Sequence, residues 1–468
     1  MSPVAAPTTI WLTDRTRHFT GLARCPRARY LSCHFGPTGY GITARRESLP
    51  LTTGISVHRG LEAYCTVLLT QDRLTTVDET RAIVAGVTDE YLSRVEARGF
   101  RGVLSSEQTE ETIEEQSVLI TGLLWALRLK FLPWLHERYR IVAAEKERLH
   151  FLSCSCGAPP LDQDEHIRRG CTGMALMIRT DILAQHRDTG LLAYFEGKTS
   201  GWVGDAWTER WETDPQLALG TLDADAIWGR EITELYIIGM DKGRRAKDRY
   251  APEDMKRQLS PLCYGYCREG NPPLMADNWL PANTWTTDDG QEKRASRAHK
   301  RRGVWHLATS DDPVWLAHHT NDPAMTPAEY WVRMLPNTIL DKVCFLVGPM
   351  NRQDHQLGAV LRAMTSDEGR WQTTLWRLYE LQQQYPWASE TFQAELDRLV
   401  PCSWNCRPFG REHQCEFVSI CHRHSGWEDP IGSGHYQPRL PHHDPELQQA
   451  VARGLLTEEA SLVEEDDR

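Results

Sequence analysis

The sequence predicts an α/β core with helical elaboration and a cysteine clasp towards the C-terminus. Three observations predict it. The apolar runs MALMIRTDIL, LLAYFEGKTS and ITELYIIGM have the length and residue types of buried strands. Longer runs with helical periodicity bracket them, EETIEEQSVLITGLLWALRLKFL on one side and residues 366–400 on the other. Cys25 lies near the start of the chain and Cys406, Cys415 and Cys421 near its end, so a shared thiolate site would staple the termini. Closing a loop of about 380 residues is worth roughly 5 kcal/mol of chain entropy.

The 468 residues are 40% hydrophobic and 25% charged, room for two or three domains or one elaborated domain. The most apolar run, VLITGLLWAL, is broken by Gly122 and flanked by charge, so no membrane span is expected. MSPVAAPTTIWL has neither the basic stretch nor the long apolar core of a secretion signal. A cytoplasmic protein is therefore expected, its thirteen cysteines reduced and some of them metal-bound.

Along the chain, the first ~100 residues read as short loops alternating with helical segments. In TTGISVHRGLEAYCTVLL the residues Val57, Leu61 and Tyr64 fall at helical spacing, which puts His58 early in a helix. Ser105-x-x-Gln108 resembles a capping box opening the next helix, and Pro133 disturbs or ends it. YRIVAAEKERLHFL alternates as a strand does, and SCSCGAPPLDQDEHIRRGC is rich in turn formers. The strands MALMIRTDIL and LLAYFEGKTS come next, joined by a turn at QHRDTG, and then ITELYIIGM. From about residue 254 helices alternate with long loops, including a Pro- and Trp-rich stretch at 271–315. The expected segments are 1–104, helical, with the first cysteine and His58; 105–270, the α/β core; 271–400, elaboration; 401–425, the cysteine clasp; and 426–468, a tail. The tail ends in EEASLVEEDDR, an acidic composition that reads as solvated.

One constellation carries chemistry. Gly190 in Asp188-Thr-Gly190 suits a tight turn. A turn centred just before or just after Thr189 sets Asp181 opposite Glu196 or Lys198, and one centred on it sets Asp181 opposite Gly197. Glu196 and Lys198 share a face by the two-residue period of a strand. Two carboxylates and an ammonium at one hairpin end suit phosphodiester cleavage. Mg²⁺ or Mn²⁺ takes the carboxylate oxygens, and the lysine orients water or offsets developing charge.

Asp181, fourteen residues, then Glu196-Gly197-Lys198 resembles the signature of the PD-(D/E)XK nuclease superfamily, and GISVHRGLEAY resembles a motif of its RecB-like branch. The resemblance implies a restriction-endonuclease-like core, a mixed central sheet flanked by helices with helical insertions, and a metal shell of His58, Asp181, Glu196 and the Gly197 carbonyl. Lys198 would be the catalytic lysine. MKRQLSPLCYGY is similar to a DNA-binding Q-x-x-x-Y helix, although Gln258 and Tyr264 stand six apart. In the iron–sulfur members one cluster ligand comes from a motif like CPRARYL and three lie after the core. That implies a [4Fe–4S] cluster on Cys25, Cys406, Cys415 and Cys421, with zinc the alternative. Cys406 stands nine residues before Cys415 where the family has C-x2-C, which makes Cys402 a rival.

Two basic clusters are candidates for contacting phosphates. One is residues 293–302, with Lys293, Arg294, Arg297, Lys300, Arg301 and Arg302, and the other is KGRRAKDR at 242–249. Trp305 is placed to stack on an unpaired base. The net charge of −11 does not exclude such a local path. Cys154, Cys156 and Cys171, with His166, are a lesser candidate zinc loop, and Cys263 and Cys267 read as core residues one helical turn apart.

The resulting expectation is a Mg²⁺- or Mn²⁺-dependent deoxyribonuclease. It would act as an exonuclease on DNA ends or single strands in recombination or phage DNA metabolism, alongside a recombination partner protein. The alternatives are a catalytically weak DNA-binding recombination subunit and a zinc-clasped interaction module.

Overall fold

The computed structural model describes residues 10–15, 17–18, 25–36, 39–45, 49–98, 106–154, 173–201, 203–229, 232–243, 262–268, 280–281, 284–286, 292–294, 303–307, 322, 324–350, 354–403, 415–424, 426–439, 446–448 and 451. Its centre is a mixed six-stranded sheet. The strands are β1 (Ile10–Asp14), β3 (Tyr139–Cys154), β4 (Gly173–His186), β5 (Leu192–Ser200), β6 (Glu234–Asp241) and β12 (Cys344–Met350), in the order β1-β4-β5-β6-β12 with β3 also on β4. β1 runs parallel to β4 and β5 parallel to β6, while the other pairings are antiparallel. Two of these strands come from outside 105–270, and β1 was not legible among the loops and helices expected before residue 100.

The pairing around β4 positions the site. β3 runs along one edge of β4 from Tyr139↔His186 to Cys154↔Gly173. On the other edge β1 covers Gly173 to Met177 and β5 covers Ile182 to Gln185. Residues 178–181 lie between those two ladders, where the strands part.

Helices cover both faces, and alternation along the strands sorts their side chains. On one face α2 (Leu49–Gln71), α3 (Val77–Arg98), α4 (Ser106–Ala126) and α5 (Leu132–Arg138) bury Val57, Leu61, Tyr64, Ile120 and Leu124 against Ile182, Ala184, Phe195 and Ile238. The other face sets Leu183, Tyr194, Leu235 and Ile237 against Trp207, Trp211 and Leu217. Two helices lie on that side, α6 (Asp205–Glu209) and α7 (Pro215–Trp228). His58 is the tenth residue of α2, not an early one, because the helix begins at Leu49. Ser105 lies outside the described residues. The helix it was expected to cap widens into a π turn at Leu127–Phe131 and continues past Pro133 to Arg138. A proline has no amide hydrogen for the preceding turn, and the wider turn accommodates it. The span Ile113–Arg138 is long and apolar enough to cross a membrane, contrary to the sequence reading, but 72% of its most apolar window is buried in the protein.

Beyond the sheet, α8 (Pro327–Met334) and α9 (Asn337–Val343) pack on the first face, and α10 (Asp354–Gln384) and α11 (Glu390–Leu399) lead towards the cysteines. Between 264 and 307 the described residues form short strands and not the expected helices: β7 (Tyr264–Arg268), β8 (Leu280–Pro281), β9 (Thr284–Thr286), β10 (Glu292–Arg294) and β11 (Gly303–Leu307). Tyr264 therefore opens a strand, and Cys267 sits on it, so Cys263 and Cys267 are not one helical turn apart. Cys263 itself is buried.

The two ends of the chain are stitched together. β2 (Ile42–Ala44) pairs with β13 (Tyr436–Pro438). α1 (Pro26–Cys33) sends Tyr30 and Leu31 into a core with Trp371, Leu378, Phe392 and Phe417. Arg29 donates to the fully buried carboxylate of Glu368 at 2.6 Å, which also accepts from the Trp11 indole at 2.9 Å and meets His18 at 3.0 Å. Arg27 donates to the Val400 carbonyl at 2.9 Å and to Asp397 at 2.6 Å.

Candidate functional site

The site forms where β4 and β5 part. The observed register, Ile182↔Phe195 through Gln185↔Leu192, centres the turn between Asp188 and Thr189. One more step sets Asp181 opposite Glu196, the first of the alternatives the sequence allowed. Gly190 takes φ +69 there, and its amide closes the turn on the His186 carbonyl at 2.9 Å. Past Ile182 the ladder ends, and the Gly197 amide donates instead to Asp181 Oδ2 at 2.8 Å.

His58 reaches the same carboxylate from α2, its Nδ1 3.8 Å from Asp181 Oδ2. Gly197 makes that approach possible. A Cβ at this position would lie 3.1 Å from His58 Cε1, 3.3 Å from Leu61 Cδ2 and 3.5 Å from Asp181 Oδ2. Burial, and then the Lys198 charge, lower the His58 pKa to about 4, so the imidazole is neutral with a lone pair to offer. Gly197→Val is expected to push His58 aside and remove most metal affinity, with a smaller effect for Gly197→Ala. Manganese titration followed by calorimetry checks this.

Glu196 is 1% exposed and firmly held. Lys198 and the Gln216 amide both donate to its Oε1, and the Tyr194 hydroxyl donates to its Oε2. Burial alone would raise its pKa, but the Lys198 charge and these donors outweigh it and keep Glu196 below the usual carboxylate range. Arg15 in turn donates to Gln216 Oε1, forming a chain Arg15–Gln216–Glu196. Lys198 also lies 5.9 Å from the centre of the Trp211 ring, a face that suits an ammonium.

The sequence did not single out Glu145. It interrupts β3 with φ +46, between Ala144↔Ile182 and Lys146↔Thr180, and so stands opposite Asp181. A left-handed glutamate inside a strand is uncommon and re-aims its side chain. Among the described residues, His58, Glu145 and Asp181 offer ligand atoms all within 4.8 Å of one another, a set that does not include Glu196. Burial first and the Asp181 charge second raise Glu145, and burial first and the Glu196 charge second raise Asp181. Two oxygen donors and a neutral imidazole fit Mn²⁺ or Mg²⁺, and a dication among them would relieve the repulsion that raises both carboxyls.

No family model matches the chain, and no curated protein matches it.

At the clasp, Cys25 is buried at the start of α1, and the Ser403 amide approaches its sulfur at 3.5 Å. Cys402 and Cys421 share a hydrogen bond that lowers the Cys402 thiol to about 7 and raises Cys421, and Cys415 lies close enough for its charge to act on Cys421. Cys402 and Cys421 thus meet, with Cys415 near Cys421 and Cys25 beside Ser403, all four as free thiols. An iron–sulfur cluster or a zinc ion takes four thiolates, and these four cysteines lie in the region where the two ends of the described chain pack together.

Cys406, Gln258, Arg297, Lys300, Arg301 and Arg302 lie outside the described residues, as do Cys156, His166 and Cys171. Lys293 and Arg294 lie on β10, which pairs with β9.

Proposed function

We propose that the protein is a Mg²⁺- or Mn²⁺-dependent deoxyribonuclease with a RecB-like PD-(D/E)XK core, acting as an exonuclease on DNA ends or single strands. The observation that carries this reading is the convergence of His58, Asp181 and the Glu196-Gly197-Lys198 run from three separate elements. A dication held by His58, Glu145 and Asp181, with Glu196 alongside, supplies Lewis acidity and a water of lowered pKa. Lys198 is held beside these carboxylates through Glu196, where its ammonium would orient an attacking water or offset charge growing on the phosphate. Glu196, Tyr194 and Gln216 keep the lysine in place, and His58 supplies a nitrogen ligand that suits Mn²⁺.

Incubating the protein with Mn²⁺ or Mg²⁺ and end-labelled linear or circular DNA tests the reading. Cleavage of the linear DNA is expected to need the metal, to spare the circle, and to vanish in Asp181→Ala, Glu196→Ala and Lys198→Ala with the fold retained. Activity surviving in all three variants would overturn it, and cutting of circles would make the enzyme an endonuclease.

We further propose that the clasp carries a [4Fe–4S] cluster on Cys25, Cys415, Cys421 and one of Cys402 and Cys406. Protein purified without oxygen is expected to be brown, absorbing broadly near ~400 nm. Cys25→Ala and Cys421→Ala should lose the colour. Colourless protein with stoichiometric zinc would assign the clasp to zinc instead.

A further inference from the structure

We propose that Arg15 is a phosphate-binding residue of this site, its guanidinium contacting a non-bridging oxygen of a DNA strand laid along the carboxylates. The inference rests on the nuclease reading above. β1 pairs Asp14 with Met177 in parallel, so the chain leaves the strand beside residues 178–181, where β4 opens and Asp181 sits. The chain just beyond β1 is firmly anchored at Arg17. Its amide donates to Asp14 Oδ1 at 2.8 Å, and its buried guanidinium donates to Glu446 Oε2 at 2.6 Å. Arg17 therefore serves the fold, while Arg15, half-buried, is directed towards the site.

The partner of Arg15 is the neutral amide of Gln216, which leaves its positive charge uncancelled by that bond. The guanidinium lies close enough for its charge to reach both Asp181 and Glu196. Three carboxylates, Glu145, Asp181 and Glu196, balance one dication and Lys198. A phosphodiester adds a negative charge, and a second grows as the leaving oxygen departs. A guanidinium offers a planar fork of donors matched to phosphate oxygens. Exchanging the Gln216 carbonyl for a phosphate oxygen gives Arg15 a stronger, charge-assisted bond.

The test separates a phosphate contact from a role exercised only through Gln216. Binding of a short fluorescent single-stranded oligonucleotide is measured in EDTA, where nothing is cut, over a range of salt. Arg15→Ala is expected to weaken binding about tenfold. It should also reduce the slope of log affinity against log salt by about 0.7, the signature of one lost phosphate contact on a single strand. Arg15→Lys should keep the slope, and so should Gln216→Ala. With Mn²⁺ added, Arg15→Ala should cut about 100-fold more slowly. An unchanged slope in Arg15→Ala, or the same loss of slope in Gln216→Ala, would overturn the proposal while leaving the nuclease reading standing if wild-type protein cuts. Wild-type protein that neither binds nor cuts DNA would overturn both.

Discussion

Replacing Glu145 with glutamine is expected to make the metal-free protein more stable and to abolish nearly all of the proposed nuclease activity. Glu145 is held up to about 9 by burial and then by the Asp181 charge, and Asp181 is held up to about 7 by burial and then by the Glu196 charge. The folded, metal-free protein thus keeps protons that the unfolded chain releases near pH 4. A native state that binds more protons than the unfolded one loses stability as pH rises, here from about pH 4 through about pH 9. Glutamine is neutral without having to take up a proton on folding, at nearly constant shape. The melting temperature at pH 8 should therefore rise by a few degrees, and its decline with pH should flatten. The same change removes an oxygen donor, so Mn²⁺ should no longer raise the melting temperature appreciably and cleavage should fall at least ~100-fold. Thermal melts at pH 5 and pH 8, with and without Mn²⁺, check this. A variant that melts lower than wild type in EDTA, or cuts normally, would remove Glu145 from the site.

The second large effect lies far from the chemistry. Glu368→Leu strands the buried guanidinium of Arg29 and takes an acceptor from Trp11 and His18. Burial alone would raise the Glu368 carboxyl, but bonding from His18 and the Arg29 charge outweigh it and hold Glu368 near about 2. Breaking one side of a buried pair typically costs about 3–5 kcal/mol. The variant should melt roughly 3–5 °C lower. Pairing the change with Arg29→Met replaces two charges by apolar groups of similar size and should recover most of that loss. The two variants measured together distinguish an ion pair from simple packing, because loss of packing would make the double variant worse than either single one.

Much of the architecture was legible because periodicity and length determine it. β3, β4, β5 and β6 are read from short apolar runs, and the long helices from their stripes. The hairpin of Asp181 and Glu196 needed only the choice among turn centres, which pairing on one buried face makes. Glu145 was illegible because its side chain is aimed by a left-handed backbone that no local pattern announces. Tyr194 was nearer to hand, since it shares a strand face with Glu196 and Lys198. Gln216 enters only because Asp214 caps the start of α7, its carboxylate accepting from the Gln216 amide at 2.8 Å, which sets the first turn against the strand end. β1 escaped notice because five residues, IWLTD, are too few to show a period. Cys402 and Cys421 come together from separate points in the sequence, a juxtaposition that spacing alone does not encode.

The stitching of the termini also governs how the chain is made. Tyr30, Leu31 and Phe35 are buried in the finished protein, in a core supplied mostly by residues from 371 onward. During synthesis those partners do not yet exist. At about 5–20 residues per second, the interval between residues 44 and 354 occupies the ribosome for roughly 15–60 s. Throughout it, three large apolar side chains near the start of the nascent chain have nowhere to go. The segment from residue 371 onward acts, in effect, as a delayed lid on residues 30–35, so a product terminated before it leaves these apolar side chains largely uncovered and is a target for chaperones or proteolysis.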